Sequence, residues 1–204
     1  MIISVSGNIA SGKTTLAKKI CSLYDFEYVP SSRAELSFLD DFYADVPRFF
    51  LSAQSSFLIS KANEIHERVS KLQNVVIDRS IQEDIFIFAQ YWMDRYRIDK
   101  REKALYQHIA KYVLSTTPQS DAYLYCMCSP STSLKRISSR PSRSFEAKFP
   151  PFFIQELSDC YSSFHFPSAH VIECDSECNN YAEDSTVARI MEELFDQINK
   201  RTIV

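Results

Sequence analysis

Glycine is almost missing from this chain of 204 residues. There are two, Gly7 and Gly12, where an average usage of about 7% would give roughly 14. Glycine-rich linkers are thereby excluded, and turns elsewhere must use Pro, Ser and Asn chemistry. An excess of basic residues is lacking too: 23 Lys and Arg stand against 26 Asp and Glu, for a net charge of -3. That balance gives no global attraction to nucleic acid or to an anionic membrane. No apolar run approaches the roughly 20 residues of a membrane helix. The first strand begins at Ile2, which leaves no room for a signal or transit peptide, so a cytoplasmic protein is expected. The six cysteines, at 21, 126, 128, 160, 174 and 178, do not resemble the framework of a short secreted scaffold, and reduced thiols are expected. Neither Cys126-x-Cys128 nor the Cys174 and Cys178 pair has the usual zinc spacing. With 45% hydrophobic and 24% charged residues and no linker-like stretch, the chain reads as one domain over 1–204.

Both glycines fall in one run, Gly7-Asn8-Ile9-Ala10-Ser11-Gly12-Lys13-Thr14, followed by Thr15. The run fits G-x-x-x-x-G-K-[ST], the phosphate-binding P-loop. Its context fits as well. Ile2 to Val5 is an apolar, β-branched segment suited to a buried strand, and Leu16, Ile20 and Leu23 share one helical face after the loop. In such a loop the glycines permit positive φ and close approach, while successive N–H groups and a helix N-terminus converge on an anion. Lys13 would reach the terminal phosphates of a nucleotide, and Thr14 would ligate Mg²⁺.

Strand candidates recur at Ile2 to Val5, Phe26 to Val29, Val75 to Asp78, Ala122 to Cys128 and His170 to Cys174. Between them, Leu58, Ala62, Ile65, Val69 and Leu72 recur at helical spacing, as do Val187, Ile190, Met191, Leu194 and Ile198. Ser80 to Tyr96 and Arg101 to Leu114 also read as helices. Five strands alternating with helices predict an α/β fold with a five-stranded parallel sheet covered on both faces, a three-layer sandwich. Ligands in such sheets bind beyond the C-terminal strand ends, where the P-loop and Asp78 would meet. Val75-Val76-Ile77-Asp78 has the form of a strand whose terminal carboxylate holds Mg²⁺. The guanine-reading N-K-x-D is missing, since the lone Asn199-Lys200 continues as Arg201-Thr202. Arg136, Arg140 and Arg143 are spaced to share one face if they lie on a helix.

At Asp78-Arg79-Ser80-Ile81-Gln82-Glu83-Asp84 the chain resembles the deoxynucleoside kinase family, particularly its bacterial purine branch. Phe42-Tyr43, Arg48-Phe49-Phe50, Gln54 to Leu58 and the arginines from Leu134 to Glu146 are similar to further family blocks, in family order. The resemblance implies a P-loop kinase fold with an arginine-rich lid at about 136–149. The implied reaction is ATP-dependent phosphorylation of the 5′-hydroxyl of a deoxynucleoside. By the same resemblance Lys13, Arg136, Arg140, Arg143 and Mg²⁺ on Thr14 and Asp78 would neutralise the moving phosphoryl group. Gln54 would read the base, Phe88 would stack on it, Tyr43 and Glu146 would hold the 3′-hydroxyl, and Arg79 would lie near the 5′-hydroxyl. Lys61 and Asp84 match a pair that favours purine or deoxycytidine over thymidine. A homodimer through the helices containing Leu58 to Leu72 and Phe86 to Tyr96 is also implied.

Two departures qualify these expectations. The family's general-base glutamate falls on Ser31, leaving Glu35 and Asp78 as the carboxylates to consider. Arg140-Pro141-Ser142-Arg143 replaces a compact R-G-R in the lid. A thymidylate-like monophosphate kinase and a nucleotide-binding module that has lost catalysis stand as the alternatives.

Overall fold

The protein is described by a computed structural model covering residues 1–31, 38–71, 73–139, 149, 151–168 and 170–202. Five strands form one parallel sheet: β1 (Ile2–Ser6), β2 (Glu27–Val29), β3 (Val75–Asp78), β4 (Ala122–Met127) and β5 (Val171–Asp175). Their order is β2-β3-β1-β4-β5, with Val5 level with Asp78 and with Leu124. The expected strands are all present, with ends displaced by a residue or two.

Alternation along the strands divides the core in two. Ile3, Val5, Val76, Leu124, Cys126, Ile172 and Cys174 face one side, where they meet Leu16 and Ile20 of α1 (Lys13–Leu23) and Val187, Met191 and Leu194 of α9 (Asp184–Thr202). Ile2, Val29, Val75 and Ile77 face the other side. There they are covered by α2 (Leu39–Ala44), α3 (Val46–Ser70), α6 (Lys100–Thr116) and α8 (Pro151–Ser163). The segment after β3 runs as α4 (Ile81–Glu83), a π-helical stretch Asp84–Ala89, and α5 (Gln90–Arg95). One periodic pattern in the sequence thus hides a local change of pitch. The short α7 (Pro130–Ser138) starts on a Ser129 cap with Pro130 in its first turn, a standard initiation.

Both glycines sit where a side chain cannot. Gly7 has φ 138, and a Cβ there would come within 2.5 Å of the Cys126 carbonyl oxygen. Gly12 has φ 95 and packs against the Tyr181 ring. It also occupies the cap position of α1, whose first N–H groups therefore meet no capping side chain and stay open to an anion. Ala10 (φ 62) and Arg79 (φ 73) adopt left-handed backbone without being glycine. Strain of that kind costs about 1–3 kcal/mol per residue and gathers at functional sites.

Gly7→Ala combines a disallowed φ with a clash against backbone. Urea unfolding should show a loss of at least about 1–3 kcal/mol, and binding of ATP should disappear.

Candidate active site

The C-terminal ends of β1 and β3 place four charged side chains in the interior: Lys13, Asp78, Arg79 and Glu83, none more than 8% exposed. Lys13 folds over its own loop, its Nζ donating to the Asn8 carbonyl at 2.5 Å and, at 3.4 Å, to Ser11 Oγ. Burial, and then the neighbouring Arg79, push its ammonium down to about 8, against Asp78 and Glu83. Asp78 Oδ2 accepts from Thr14 Oγ1 at 2.5 Å and from the Tyr28 hydroxyl at 3.1 Å, while its buried Oδ1 has no partner. Burial and the Asp78 carboxylate push the Tyr28 phenol up, so it stays a donor. These oxygens form a hard-donor set of the kind Mg²⁺ takes.

Beyond Arg79 opens a pocket of about 670 Å³, mouth included. Phe42, Tyr43, Phe57, Phe88, Trp92 and Phe149 wall it, and Gln54, Lys61, Asp84, Arg79 and Ser31 supply its polar atoms. Asp84, Phe88 and Trp92 come from one helical run, at intervals of four residues that span the π-helical stretch. Lys61, 1% exposed, donates to Asp84 Oδ2. Burial pushes the Asp84 carboxyl up, against the pull of Lys61 and Arg79. The Arg79 guanidinium lies 4.0 Å from the centroid of the Phe88 ring, and its Nε and Nη2 are buried without acceptors. Burial opposes its charge, yet Tyr161, Glu83, Asp84 and Asp78 hold it above its ordinary value. An oxygen-rich ligand entering the pocket would satisfy those donors.

On the other side of the loop a second groove is bordered by Gly12, Thr15, Arg136 and the segment Ser176 to Tyr181. Arg136 donates to the Ala10 carbonyl (3.2 Å), the Ser176 carbonyl (2.6 Å) and Ser176 Oγ (3.0 Å). It therefore staples the P-loop to the turn after β5. The site is a phosphate loop between two concavities.

Residues 3–200 match the family model described as deoxynucleoside kinase. The chain belongs to the deoxynucleoside kinase family. Among its relatives, a deoxyguanosine kinase of Dictyostelium discoideum is 28% identical over 167 residues, which are 80% of this chain and 58% of that enzyme. A deoxyguanosine kinase of Bacillus subtilis is 25% identical over 163 residues, covering 78% of this chain and 75% of that one. The chain thus spans less than two thirds of the Dictyostelium enzyme. The structure of a deoxyadenosine kinase from M. mycoides with bound dATP superposes with a TM-score of 0.78 at 22% identity, covering 95% of this chain and 98% of that one. The likeness confirms the α/β fold.

Against this family background, the structure gathers most of the expected residues. Gly7 to Thr15 form the loop between β1 and the first turn of α1, and Tyr43, Gln54, Lys61, Arg79, Asp84 and Phe88 line one pocket. Phe88, expected under a base, stacks on Arg79. Ser31 lines the pocket. Glu35, Arg140, Arg143 and Glu146 lie outside the described residues. Of the three arginines spaced to share one face if they lie on a helix, Arg136 is the one among the described residues, on α7. Tyr28, Glu83, Trp92 and Phe149 belong to the site without having been singled out. For Glu83 a signal existed: Ser80-x-x-Glu83 is a capping box, and both of its bonds form.

The depressed Lys13 sets a pH dependence. Below pH 8 the buried ammonium costs the free protein stability, and that cost disappears as pH rises from about 8 to its ordinary 10.5. Phosphate, by contrast, requires the ammonium. Titrations with ATP should show Kd rising above pH 8 by up to about tenfold per unit, and Lys13→Met should remove both the binding and its pH dependence. A Kd constant from pH 7 to 9.5 would refute the assignment.

Proposed function

We propose that the protein transfers the γ-phosphoryl group of ATP to the 5′-hydroxyl of a deoxynucleoside, yielding the 5′-monophosphate and ADP. The observation that carries this reading is the position of Arg79. Its unpartnered Nε and Nη2 lie between the P-loop and an aromatic pocket whose polar atoms include Gln54 and the Lys61–Asp84 pair. Nucleotide phosphates on one side and a nucleoside on the other would meet there. Flat aromatic walls suit a base, and an amide beside an ion pair offers both donors and acceptors to its edge. The relatives support purine or deoxycytidine over thymidine, being named deoxyguanosine, deoxyadenosine and deoxyadenosine/deoxycytidine kinases.

In this reading the α1 N-terminus and the loop N–H groups bind the phosphates, and Lys13 swings from the Asn8 carbonyl to their terminal oxygens. Thr14 and Asp78 would hold Mg²⁺, which supplies charge neutralisation on the phosphates. Arg79 orients the 5′-oxygen. Arg136, Arg140 and Arg143 belong to the lid, with Arg136 already held against the loop. The proton of the 5′-hydroxyl passes to a carboxylate, Asp78 or Glu35, since Ser31 cannot accept it. Glu146, with Tyr43, would hold the 3′-hydroxyl. The Ser31 position also favours a second reading, a nucleotide-binding module without turnover.

Purified protein given Mg-ATP and each of the four deoxynucleosides should release ADP and form monophosphate, fastest with a purine deoxynucleoside or deoxycytidine. Replacing the base should lower kcat by about 10² to 10⁴, which Asp78→Asn and Glu35→Gln assign between them. ADP release no faster than without acceptor establishes the binding module instead.

We further propose a homodimer. Ile59 on α3 and Leu105 and Tyr112 on α6 are large apolar side chains 45%, 49% and 69% exposed, beside a groove between these two helices. Phe86 (53% exposed) and Tyr96 (39%) are exposed as well, so the pairing of α3 with the segment Phe86 to Tyr96 that the resemblance implies stands beside this α3–α6 face. Sedimentation should give twice the 23.6 kDa chain mass, and Tyr112→Glu should give the monomer. A wild-type protein sedimenting at 23.6 kDa would rule the dimer out.

A further inference from the structure

Glu83 is the most enclosed charge among the described residues. It is fully buried, and its two oxygens accept five hydrogen bonds. Oε2 takes Ser6 Oγ (2.6 Å), Ser80 N (2.8 Å) and Ser80 Oγ (2.9 Å). Oε1 takes Gly7 N (3.2 Å) and the Tyr161 hydroxyl (2.7 Å). Burial, and then Glu83 itself, push the Tyr161 phenol well up, so it remains a donor. A carboxylate saturated in this way has no capacity left for substrate. What it does have is a grip on three elements: the first residue of the phosphate loop, the turn carrying Asp78 and Arg79, and helix α8.

Helix α8 is attached to the acceptor side as well. Its Phe153 packs on Tyr91 and on Trp92 of the pocket wall, at 5.1 Å between ring centroids in each case. The Tyr91 hydroxyl donates to Glu156 at 2.6 Å. A second tie runs from the loop to the same helix, from Asn8 Nδ2 to the buried carbonyl of Ile154 at 2.9 Å. The loop that grips the donor phosphates is therefore braced against the helix that backs the acceptor pocket.

We propose that Glu83 and Tyr161 are positioning residues for phosphoryl transfer: Glu83 fixes the peptide of Gly7, and Tyr161 registers the phosphate loop against α8 and so against the acceptor. The inference rests on the kinase reading above. Tyr161→Phe removes one donor while keeping the ring, which is stacked 5.9 Å from Tyr125. Glu83→Gln keeps the volume and removes the charge.

Steady-state kinetics of the full-length protein with Mg-ATP and its preferred deoxynucleoside test this. Tyr161→Phe should lower kcat about tenfold and raise KM for ATP, with KM for the deoxynucleoside within about twofold and the thermal midpoint within a few degrees of wild type. Glu83→Gln should lose more, about a hundredfold in kcat. Ser4→Ala, which breaks the buried bond from Ser4 of β1 to Ser120 (2.6 Å), should lower the thermal midpoint without changing kcat. Overturning results are a Tyr161→Phe kcat within twofold of wild type, or a loss shared equally by ATP and deoxynucleoside parameters. If wild type itself shows no turnover, the kinase reading fails. Calorimetric Kd for ATP then decides this inference: several-fold weaker binding by Tyr161→Phe upholds it, and equal binding refutes it. Should Glu83→Gln not fold, Tyr161→Phe is sufficient.

Discussion

At the C-terminal ends of β1 and β3, two cations and two anions are buried within one small volume, and no short ion pair joins any of them among the described residues. Neutral groups meet them instead, with Asp78 Oδ1 and Arg79 Nε and Nη2 left without partners. Glu83 takes hydroxyls and amides, Asp78 takes Thr14 and Tyr28, Lys13 rests on a carbonyl, and Arg79 rests on an aromatic face. A buried charge costs several kcal/mol unless it is well solvated by the protein. Solvation by dipoles leaves Lys13 and Arg79 with their charge uncancelled at close range, free to act on an incoming anion. Much of the rest of the fold serves this arrangement: the parallel sheet that aligns the two strand ends, the glycine that lets a backbone N–H face Glu83, and the helix that adds a tyrosine.

The frame was legible in the sequence because it depends on local rules. A strand, a glycine-bounded loop and an amphipathic helix in that order allow one structure, and buried parallel strands appear as short apolar runs. Gln54, Lys61, Arg79, Asp84 and Phe88 were legible through the resemblance. Tyr28 was not, because its neighbours in sequence do not indicate that its hydroxyl ends beside Asp78. Glu83 was visible only as half of a capping box, a local motif that does not disclose a bond to Gly7, 76 residues away. Helices α2 and α8 were not anticipated. The role of α8 is tertiary: its value lies in what Ile154 and Tyr161 touch.

The near absence of glycine acquires a physical meaning in the structure. Glycine is kept at two positions where a Cβ would meet a backbone carbonyl or a packed ring. Positive φ elsewhere among the described residues is forced onto Ala10 and Arg79. Arg79 is the more telling. Its strained backbone turns the side chain into the pocket rather than along the strand, so the residue that joins the two halves of the site is held there against its own torsional preference.

The π-helical stretch Asp84–Ala89 places Asp84, Phe88 and Trp92 on one wall. In an ordinary helix each residue turns the chain about 100° and advances it about 1.5 Å. Losing one residue from the wide turn would rotate everything downstream by that amount, moving Trp92 while Asp84 stayed fixed. The pocket's shape is therefore set partly by a count of residues and not only by their identities. A single insertion or deletion in this turn would therefore re-aim part of the pocket wall at once, which a substitution of one lining residue does not do.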